Sequence, residues 1–457
     1  MFSYLYEQNS TEEIMLRVAV HICEHYANND TLICSGLVSQ FQANKHISEP
    51  IFPPDKFEFK VLQLSDLHYD PLYAPDSEAD CSEPICCQRS KTSSNNSSGR
   101  LAGYWGTVGK CDLPYRTIVN MLQHISEIQK IDYIILTGDL MSHSVWTYTK
   151  RDHSDVIRLI NATLNKYLPG VPIFWAVGNH EGVPINSFLY INQTDPDKTL
   201  SWLIDELYEC ELLGCEAHII AHIPPGDAEC LEGWARNYYR IVNRFSSTIK
   251  AQFFGHVHTD SFTLFYENMN NRNTMPVSVL YSAPSVTTFD YLNPAYRIYT
   301  VDAVSNTVTD FDTYFLNISA IEDLPRWELL YSAKKEYDLK DLSAASWNEL
   351  AKRIYSNETV FQLFLRNYVR RDDYECDANC RAELLCSLWR GHHAKDELCV
   401  SSNRRYESVK RILGTEPPRH PGAFYGRGDP AQRVFTLALK RVLRARSNRL
   451  RSKENFA

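Results

Sequence analysis

The chain has 457 residues, of which 44% are hydrophobic, enough to bury the core of one large catalytic domain with additions. No apolar run approaches the length of a membrane-spanning helix. The net charge of −9 is unevenly spread: residues 401–457 hold 14 Lys/Arg against 4 Asp/Glu, a net +10, which leaves −19 on everything before them. The basic tail could touch anionic membranes or nucleic acid; the expected reading is a solvated, partly helical extension, with no nucleic-acid partner since only the tail points to one.

Thirteen cysteines, together with Asn-x-Ser/Thr sites at Asn9, Asn29, Asn161, Asn192, Asn317 and Asn357, place the chain in an oxidising compartment. A secreted, extracellular or lysosomal glycoprotein is expected. The first twenty residues lack a basic start followed by an apolar stretch, so a leader is expected to be missing from this chain.

Residues 1–44 read as a small helical segment. Ile14, Val18, Val20, Ile22, Ile33, Leu37 and Phe41 are spaced for one or two amphipathic helices, and Cys23 and Cys34 are an internal pair or two of a larger set. Residues 45–56 are a polar, Pro-rich linker. Residues 57–64 form the first convincing strand and run into LSDLH, where Asp66 and His68 share one face of an extended exit and can grip a divalent ion such as zinc. Residues 80–110 are a loop excursion whose simplest disulfides are Cys81–Cys86 and Cys87–Cys111; a zinc knuckle is the competing reading. Tyr104, Trp105 and Gly106 line a substrate entrance or pack the loop.

Residues 114–128 have helical spacing, and residues 133–136 are a strand ending in Thr-Gly-Asp that presents Asp139 at its carboxyl end. One carboxylate there can bridge two metals. His143 binds phosphate or assists proton transfer, or else packs on Trp146. A helix over 152–167 and a strand over 171–177 lead to GNHE, where Asn179 offers a neutral oxygen to a metal, His180 is a candidate general acid and Glu181 orients it. A helix over 200–210 precedes the strand 217–221, which delivers His222. A helix over 231–245 precedes the strand 251–254 and GHVH, where His256 and His258 alternate with Val257 and so project to one side.

Further strands are expected at 261–266, 277–281, 297–301 and 309–315. Tyr296 either approaches the substrate or packs the core. Residues 341–368 look helical, and Cys376–Cys380 and Cys386–Cys399 are the simplest pairs of a compact cysteine set. Residues 417–430 are linker-like, and residues 433–451 can form a basic helix. The alternation of strands and helices predicts a layered α/β domain, divided as a catalytic domain over 57–320, a helical disulfide-containing region over 321–400 and the tail over 401–457.

Asp66, His68, Asp139, Asn179, His222, His256 and His258 are too many ligands for one closed structural site; sharing Asp139, they make two sites suited to phosphoester hydrolysis. LSDLHYD, ILTGDLMSHSVW, VGNHE, HIIAHIPPG, NYYRIV, AQFFGHVH and LNPAYRIY resemble the acid sphingomyelinase family of calcineurin-like metallophosphoesterases over roughly residues 55–400, and residues 1–44 resemble the middle of a saposin domain. The resemblance implies a four-layer sandwich of mixed β-sheets flanked by helices. It implies two Zn2+ ions, one on Asp66, His68, Asp139 and His258, the other on Asp139, Asn179, His222 and His256. It makes His180 and His143 catalytic, with Asn179 and His180 at the substrate phosphate.

The implied reaction is hydrolysis of sphingomyelin to ceramide and phosphocholine by a metal-activated water, at a sphingomyelin-containing membrane surface, by a chain expected to be monomeric. The alternatives are a phosphodiesterase for nucleotides or other small phosphoesters, and an inactive shortened form with a binding role. The chain departs from the family pattern near residues 188–190, where Ser187–Phe188 runs at once into Leu189–Ile191. By the resemblance, Cys230 then lacks its partner and is free or paired with Cys210 or Cys215.

Overall fold

A computed structural model describes residues 3–5, 57–89, 99–183, 185–186, 198–321, 324–371, 373–393 and 399. The helical expectation for 6–44, the linker up to residue 56 and the basic tail lie outside these residues. Within residues 1–44 the described part is a short strand, β1 (Ser3–Leu5).

Two mixed sheets form the centre. The first runs β11-β10-β9-β2-β3-β4, from β2 (Glu58–Leu64), β3 (Tyr133–Leu136), β4 (Ile173–Trp175), β9 (Ala295–Asp302), β10 (Val308–Leu316) and β11 (Trp327–Ser332). The second runs β1-β5-β6-β8-β7, from β5 (Ala217–Ile220), β6 (Ile249–Phe254), β7 (Ser261–Tyr266) and β8 (Pro276–Ser282). In each sheet the segment that matters for the site is parallel: β2 with β3 and β3 with β4 in the first, β5 with β6 and β6 with β8 in the second.

The two-residue period of a strand sorts the side chains into layers. Val61, Tyr133, Ile135 and Phe174 point from the first sheet toward Ile220, Ala251 and Phe253 of the second, making the inter-sheet core. Their alternates Leu62, Leu64, Ile134 and Leu136 face α1 (Tyr115–Ile128) and α2 (Lys150–Tyr167) through Ile118, Met121, Val156 and Ile160. On the far side, Ile219 and Phe254 meet Leu203 and Leu207 of α3 (Lys198–Leu213) and Tyr238 and Val242 of α4 (Glu232–Arg244). The order is helices, sheet, sheet, helices. Central strands buried on both faces explain the unbroken apolar runs.

The carboxyl-terminal part adds α5 (Ala333–Tyr337), α6 (Ala344–Ser356), α7 (Glu358–Val369) and α8 (Ala378–Trp389). The helical stretch expected over 341–368 is formed by two helices, α6 and α7. Asn357 is extended, closes α6, and caps α7 by accepting from the Val360 amide, the role in which an Asn oxygen satisfies a helix's first free N–H groups. Disulfides join Cys81–Cys86, Cys87–Cys111, Cys210–Cys215, Cys376–Cys380 and Cys386–Cys399, and Cys230 is free.

Candidate metal centre

The parallel strands of both sheets end at one place. Asp66 and His68 follow β2, Asp139 follows β3 and Asn179 follows β4. From the second sheet, His222 follows β5, while His256 and His258 follow β6. All but His256 are buried. Open α/β sheets place their sites at such strand ends, where the chain leaves the ladder and its side chains converge.

The conformations differ from a simple extended exit. Asp66, His68, Asp139, His256 and His258 all have positive φ, between 40° and 71°. For residues with a Cβ the left-handed region costs up to about 1–2 kcal/mol each; turn residues elsewhere, such as Asp76 and Asn306, adopt it too, but here five of the seven candidate ligands share it. The expectation that Asp66 and His68, or His256 and His258, share a face by strand alternation is therefore corrected. Each pair is turned by left-handed residues, and His256 and His258 face different groups.

Two sets of donors emerge. In the first, His258 Nε2 lies 3.2 Å from His68 Nε2 and 3.5 Å from Asp66 Oδ1, while His68 Nε2 is 3.6 Å from Asp139 Oδ2. In the second, His222 Nε2 is 3.1 Å from Asp139 Oδ2 and 2.9 Å from Asn179 Oδ1, and His256 Nδ1 is 3.0 Å from the same Asn179 oxygen. Asp139 belongs to both.

This donor set fits a pair of metal ions. Two imidazole nitrogens at 3.2 Å need a proton or a cation between them. His68 and His222 each give Nδ1 to a backbone carbonyl, that of Met141 and that of Thr137, both at 2.6 Å, which leaves Nε2 of each as a lone pair turned inward. Burial, then the neighbouring His143, drives the pKa of His68 and of His258 well below the ordinary value, so both are neutral, the form that binds metal. Burial works to raise Asp139, but His222 and His180 outweigh it and hold the carboxyl well below the usual range. Burial, with Asp139 nearby, raises Asp66.

Main-chain contact holds the centre together. A Cβ on Gly138 would strike the backbone of Gly178, and one on Gly178 would strike Asp139; Gly138 also has a φ of +95°. Glu181 closes this crossing from the side. Its Oε2 accepts from the amides of Asp139 (2.8 Å) and Gly178 (2.6 Å), and its Oε1 from Leu140 (2.7 Å). Burial, then Asp139, pushes its pKa up to about 7. Three N–H donors on two oxygens nonetheless demand the ionised form.

His143 and His180 stand beside the first set, their ring centres 4.7 Å apart. The His143 ring is stacked between His68 at 3.9 Å and Phe289 at 3.8 Å, and its Nδ1 lies 2.8 Å from Asp112 Oδ1. His180 is buried, with a pKa pushed down to about 4 chiefly by that burial.

Tyr296 is not at the site. It is fully buried in β9, stacked on Tyr314, with its hydroxyl 2.9 Å from His124 Nδ1, in the layer that faces α1. The strand begins at Ala295, two residues before its expected start, so Tyr296 obeys strand parity and turns away from the neighbouring sheet.

Residues that the sequence did not single out include Asp112, which touches His143, and Asp290, 3.6 Å from His258 Nδ1. Asp227 and Glu229 lie 3.8 and 3.7 Å from His256 Nε2. Asp112, Asp227 and Glu229 lie between helices and strands and Asp290 in a single short 3-10 turn, where no periodicity marks them. The one available signal for Asp112 is its position next to Cys111, in a loop that a disulfide pins.

Residues 59–260 match the calcineurin-like phosphoesterase family model, and residues 275–406 match the model of the acid sphingomyelin phosphodiesterase C-terminal region. Sphingomyelin phosphodiesterase 1 of Caenorhabditis elegans is 36% identical, over 87% of this chain and 90% of its own. The chain belongs to the acid sphingomyelinase-like family. Sphingomyelin phosphodiesterase 2 of the same nematode is 33% identical, over 77% of this chain and 71% of its own, and the human sphingomyelin phosphodiesterase is 33% identical over 74% and 65%. The fold is the α/β calcineurin-like phosphoesterase fold, and the clustered donors are the metal-coordinating active site of a hydrolase of this family.

Proposed function

We propose that the chain is a zinc-dependent phosphodiesterase that cleaves sphingomyelin to ceramide and phosphocholine. The observation that carries this reading is the shared carboxylate: Asp139 lies between two donor sets, each with its own histidines, at the mouth of two sheets. Asp66, His68, Asp139 and His258 would hold one ion, and Asp139, Asn179, His222 and His256 the other. Nitrogen-rich sets with carboxylate oxygens suit zinc. When bound, two such ions supply Lewis-acid charge to phosphoryl oxygens and lower the pKa of water. The substrate follows from the named relatives, all of them sphingomyelin phosphodiesterases.

The chain's own residues do the rest. In hydrolysis, the bond from phosphorus to the ceramide oxygen breaks, a bond from water oxygen to phosphorus forms, and the leaving oxygen takes up a proton. His143 and His180 are the groups placed to deliver that proton and to hold the phosphate. Asn179, whose Oδ1 lies 2.9 Å from His222 Nε2 and 3.0 Å from His256 Nδ1, would complete the second set and face the substrate phosphate.

The division into a catalytic domain over 57–320, a helical region over 321–400 and a basic tail belongs to the same proposal, as does a saposin-like fragment in residues 1–44. So does internal shortening near residues 188–190. The alignment with the first nematode relative runs to 514 positions, more than the chain's 457 residues, so gaps in this chain occupy part of it. The free Cys230 is a further sign. Five disulfides and the Asn-x-Ser/Thr sites support a secreted or lysosomal setting. Among the described residues no helix is long and apolar enough to cross a membrane.

The test is to secrete the chain behind an added leader and measure zinc content together with hydrolysis of sphingomyelin vesicles and of nucleotide diesters. Two zinc ions per chain with sphingomyelin turnover is the expected result. Turnover of nucleotide diesters alone would move the substrate assignment, and metal-free, inactive protein would overturn the reading.

A further inference from the structure

Asp112 is completely buried, and its carboxylate is bonded to the loops beside the site. Its Oδ2 accepts the backbone N–H of His143 at 2.6 Å, and its Oδ1 lies 2.8 Å from His143 Nδ1 and accepts from Thr287 Oγ1 at 3.0 Å. One side chain thereby ties together three loops: its own, the loop of His143 after β3, and the segment that leads from β8 to Phe289. Its own loop is fixed from both sides. Cys111 is in a disulfide with Cys87, the Leu113 amide donates to the carbonyl of His68, and the Leu113 carbonyl accepts from the amide of Asp70.

We infer that Asp112 is a positioning residue for phosphodiester cleavage, acting through His143, an inference that rests on the phosphodiesterase reading above. Both Asp112 oxygens serve as acceptors, Oδ2 for the His143 amide and Oδ1 for the Thr287 hydroxyl, so the His143 Nδ1 that faces Oδ1 is the donor of that bond. That decides the tautomer and leaves Nε2 as the working nitrogen of His143. The ring plane is set independently by the stack, with His68 at 3.9 Å on one side and Phe289 at 3.8 Å on the other. A nitrogen of His143 then lies within 4.8 Å of ligand nitrogens of His68 and His258, and the side chain keeps 18% exposure, enough to meet a substrate oxygen. The carboxylate fixes the orientation of the ring and keeps its Nε2 free for the reacting group, the positioning logic of the third member in other triads.

Asparagine cannot do the same. His143 presents two N–H groups, one from the backbone and one from the ring, to two different oxygens. Asn has one acceptor oxygen, so its NH2 faces one of those donors. The ring must then turn, or move its proton to Nε2.

The experiment compares wild type, Asp112→Asn, His143→Ala and the double variant, all zinc-loaded, on two choline phosphodiesters. Sphingomyelin in detergent micelles has an alkoxide leaving group that needs a proton. p-Nitrophenylphosphorylcholine has one that does not. Zinc content and melting temperature are recorded for every variant. The expected result is that Asp112→Asn keeps its zinc and a KM within a few-fold. Its kcat on sphingomyelin falls about 100-fold, in the range general acid catalysis supplies, and its kcat on the nitrophenyl substrate falls less than about 10-fold. His143→Ala should show the same split, and the double variant should be no worse than His143→Ala.

Equal losses on both substrates, an unchanged kcat, or additive losses in the double variant would each overturn the role of Asp112. Wild type that turns over neither substrate would instead sink the phosphodiesterase reading. Should Asp112→Asn fail to fold, Thr287→Val removes one bond to the same carboxylate. It must then show a smaller split of the same sense, and its absence would overturn the inference.

Discussion

Replacing Glu181 with Gln tests whether the bridging carboxylate is held by the chain or by its surroundings. Glu181 is 2% exposed and answers three backbone amides, two on Oε2 and one on Oε1. Gln keeps the shape but has one acceptor. With its oxygen turned toward Asp139 and Gly178, its NH2 points at the Leu140 amide; turned the other way, two amides lose their partner. Each orphaned buried donor costs about 1–3 kcal/mol, and a donor facing a donor adds to it. The loss should be about 2–4 kcal/mol by urea denaturation, much of it expressed locally. No slack exists elsewhere, because Gly138 and Gly178 already cross in contact. The zinc-to-protein ratio after dialysis should therefore drop, and the amides of Asp139, Leu140 and Gly178 should lose protection in hydrogen exchange. Stability within about 0.5 kcal/mol of wild type, as for a surface change, with full zinc occupancy, would refute the argument.

Asp260→Ala leaves the fully buried Arg297, which bonds to that carboxylate, without its counter-ion, and should cost about 3–5 kcal/mol; Asp260→Leu combined with Arg297→Met should recover most of it in the same denaturation assay. His153 is 5% exposed and burial pushes its pKa down to about 4, so the unfolded chain binds the extra proton and stability is lost as pH falls from about 6.5 to about 4. The ceiling of that effect is about 3 kcal/mol, and His153→Gln should flatten the acid limb of a stability-versus-pH curve by that amount or less. Tyr296→Phe should lower stability by about 1 kcal/mol through the lost bond to His124 while leaving kcat unchanged, because the ring lies in the core and not at the centre.

The strands that carry the centre were legible because they are buried on both faces and end in polar, metal-capable residues. Tyr133–Leu136 before Asp139 and Ala217–Ile220 before His222 are short buried runs, the second interrupted only by His218. Once seven such residues stood at strand ends, their convergence followed from the rule that parallel strands share a carboxyl edge. What could not be read was the path after each strand. The left-handed turns at Asp66, His68, His256 and His258 are decided by contacts made far along the chain, such as the His256 amide on the Asp66 carboxylate. Glu181 acts on backbone amides and Asp112 on a backbone amide and two side chains distant in sequence, and no side-chain pattern announces either. Tyr296 was open to either reading because its role hung on one strand boundary. β11 escaped because Trp327–Ser332 is an edge strand with a half-exposed, irregular pattern.

The two donor sets are not divided between the two sheets; each is built from both. The first takes three residues from the first sheet and His258 from the second, and the second takes Asp139 and Asn179 from the first sheet and His222 and His256 from the second. Metal binding on such a plan clamps one sheet to the other, so part of the binding free energy becomes folding free energy. The protein's own bonds cross the same seam: Gln63 Nε2 donates to the Phe254 carbonyl, His222 Nδ1 meets the Thr137 carbonyl, and the Tyr331 hydroxyl donates to Asp260. Five left-handed residues at about 1–2 kcal/mol each set a cost of several kcal/mol on this geometry. A cost of that size, concentrated on the candidate ligands, is one that metal binding at the donor sets would offset. The centre and the packing of the two sheets are therefore one thermodynamic unit, and a change that loosens either is felt in both.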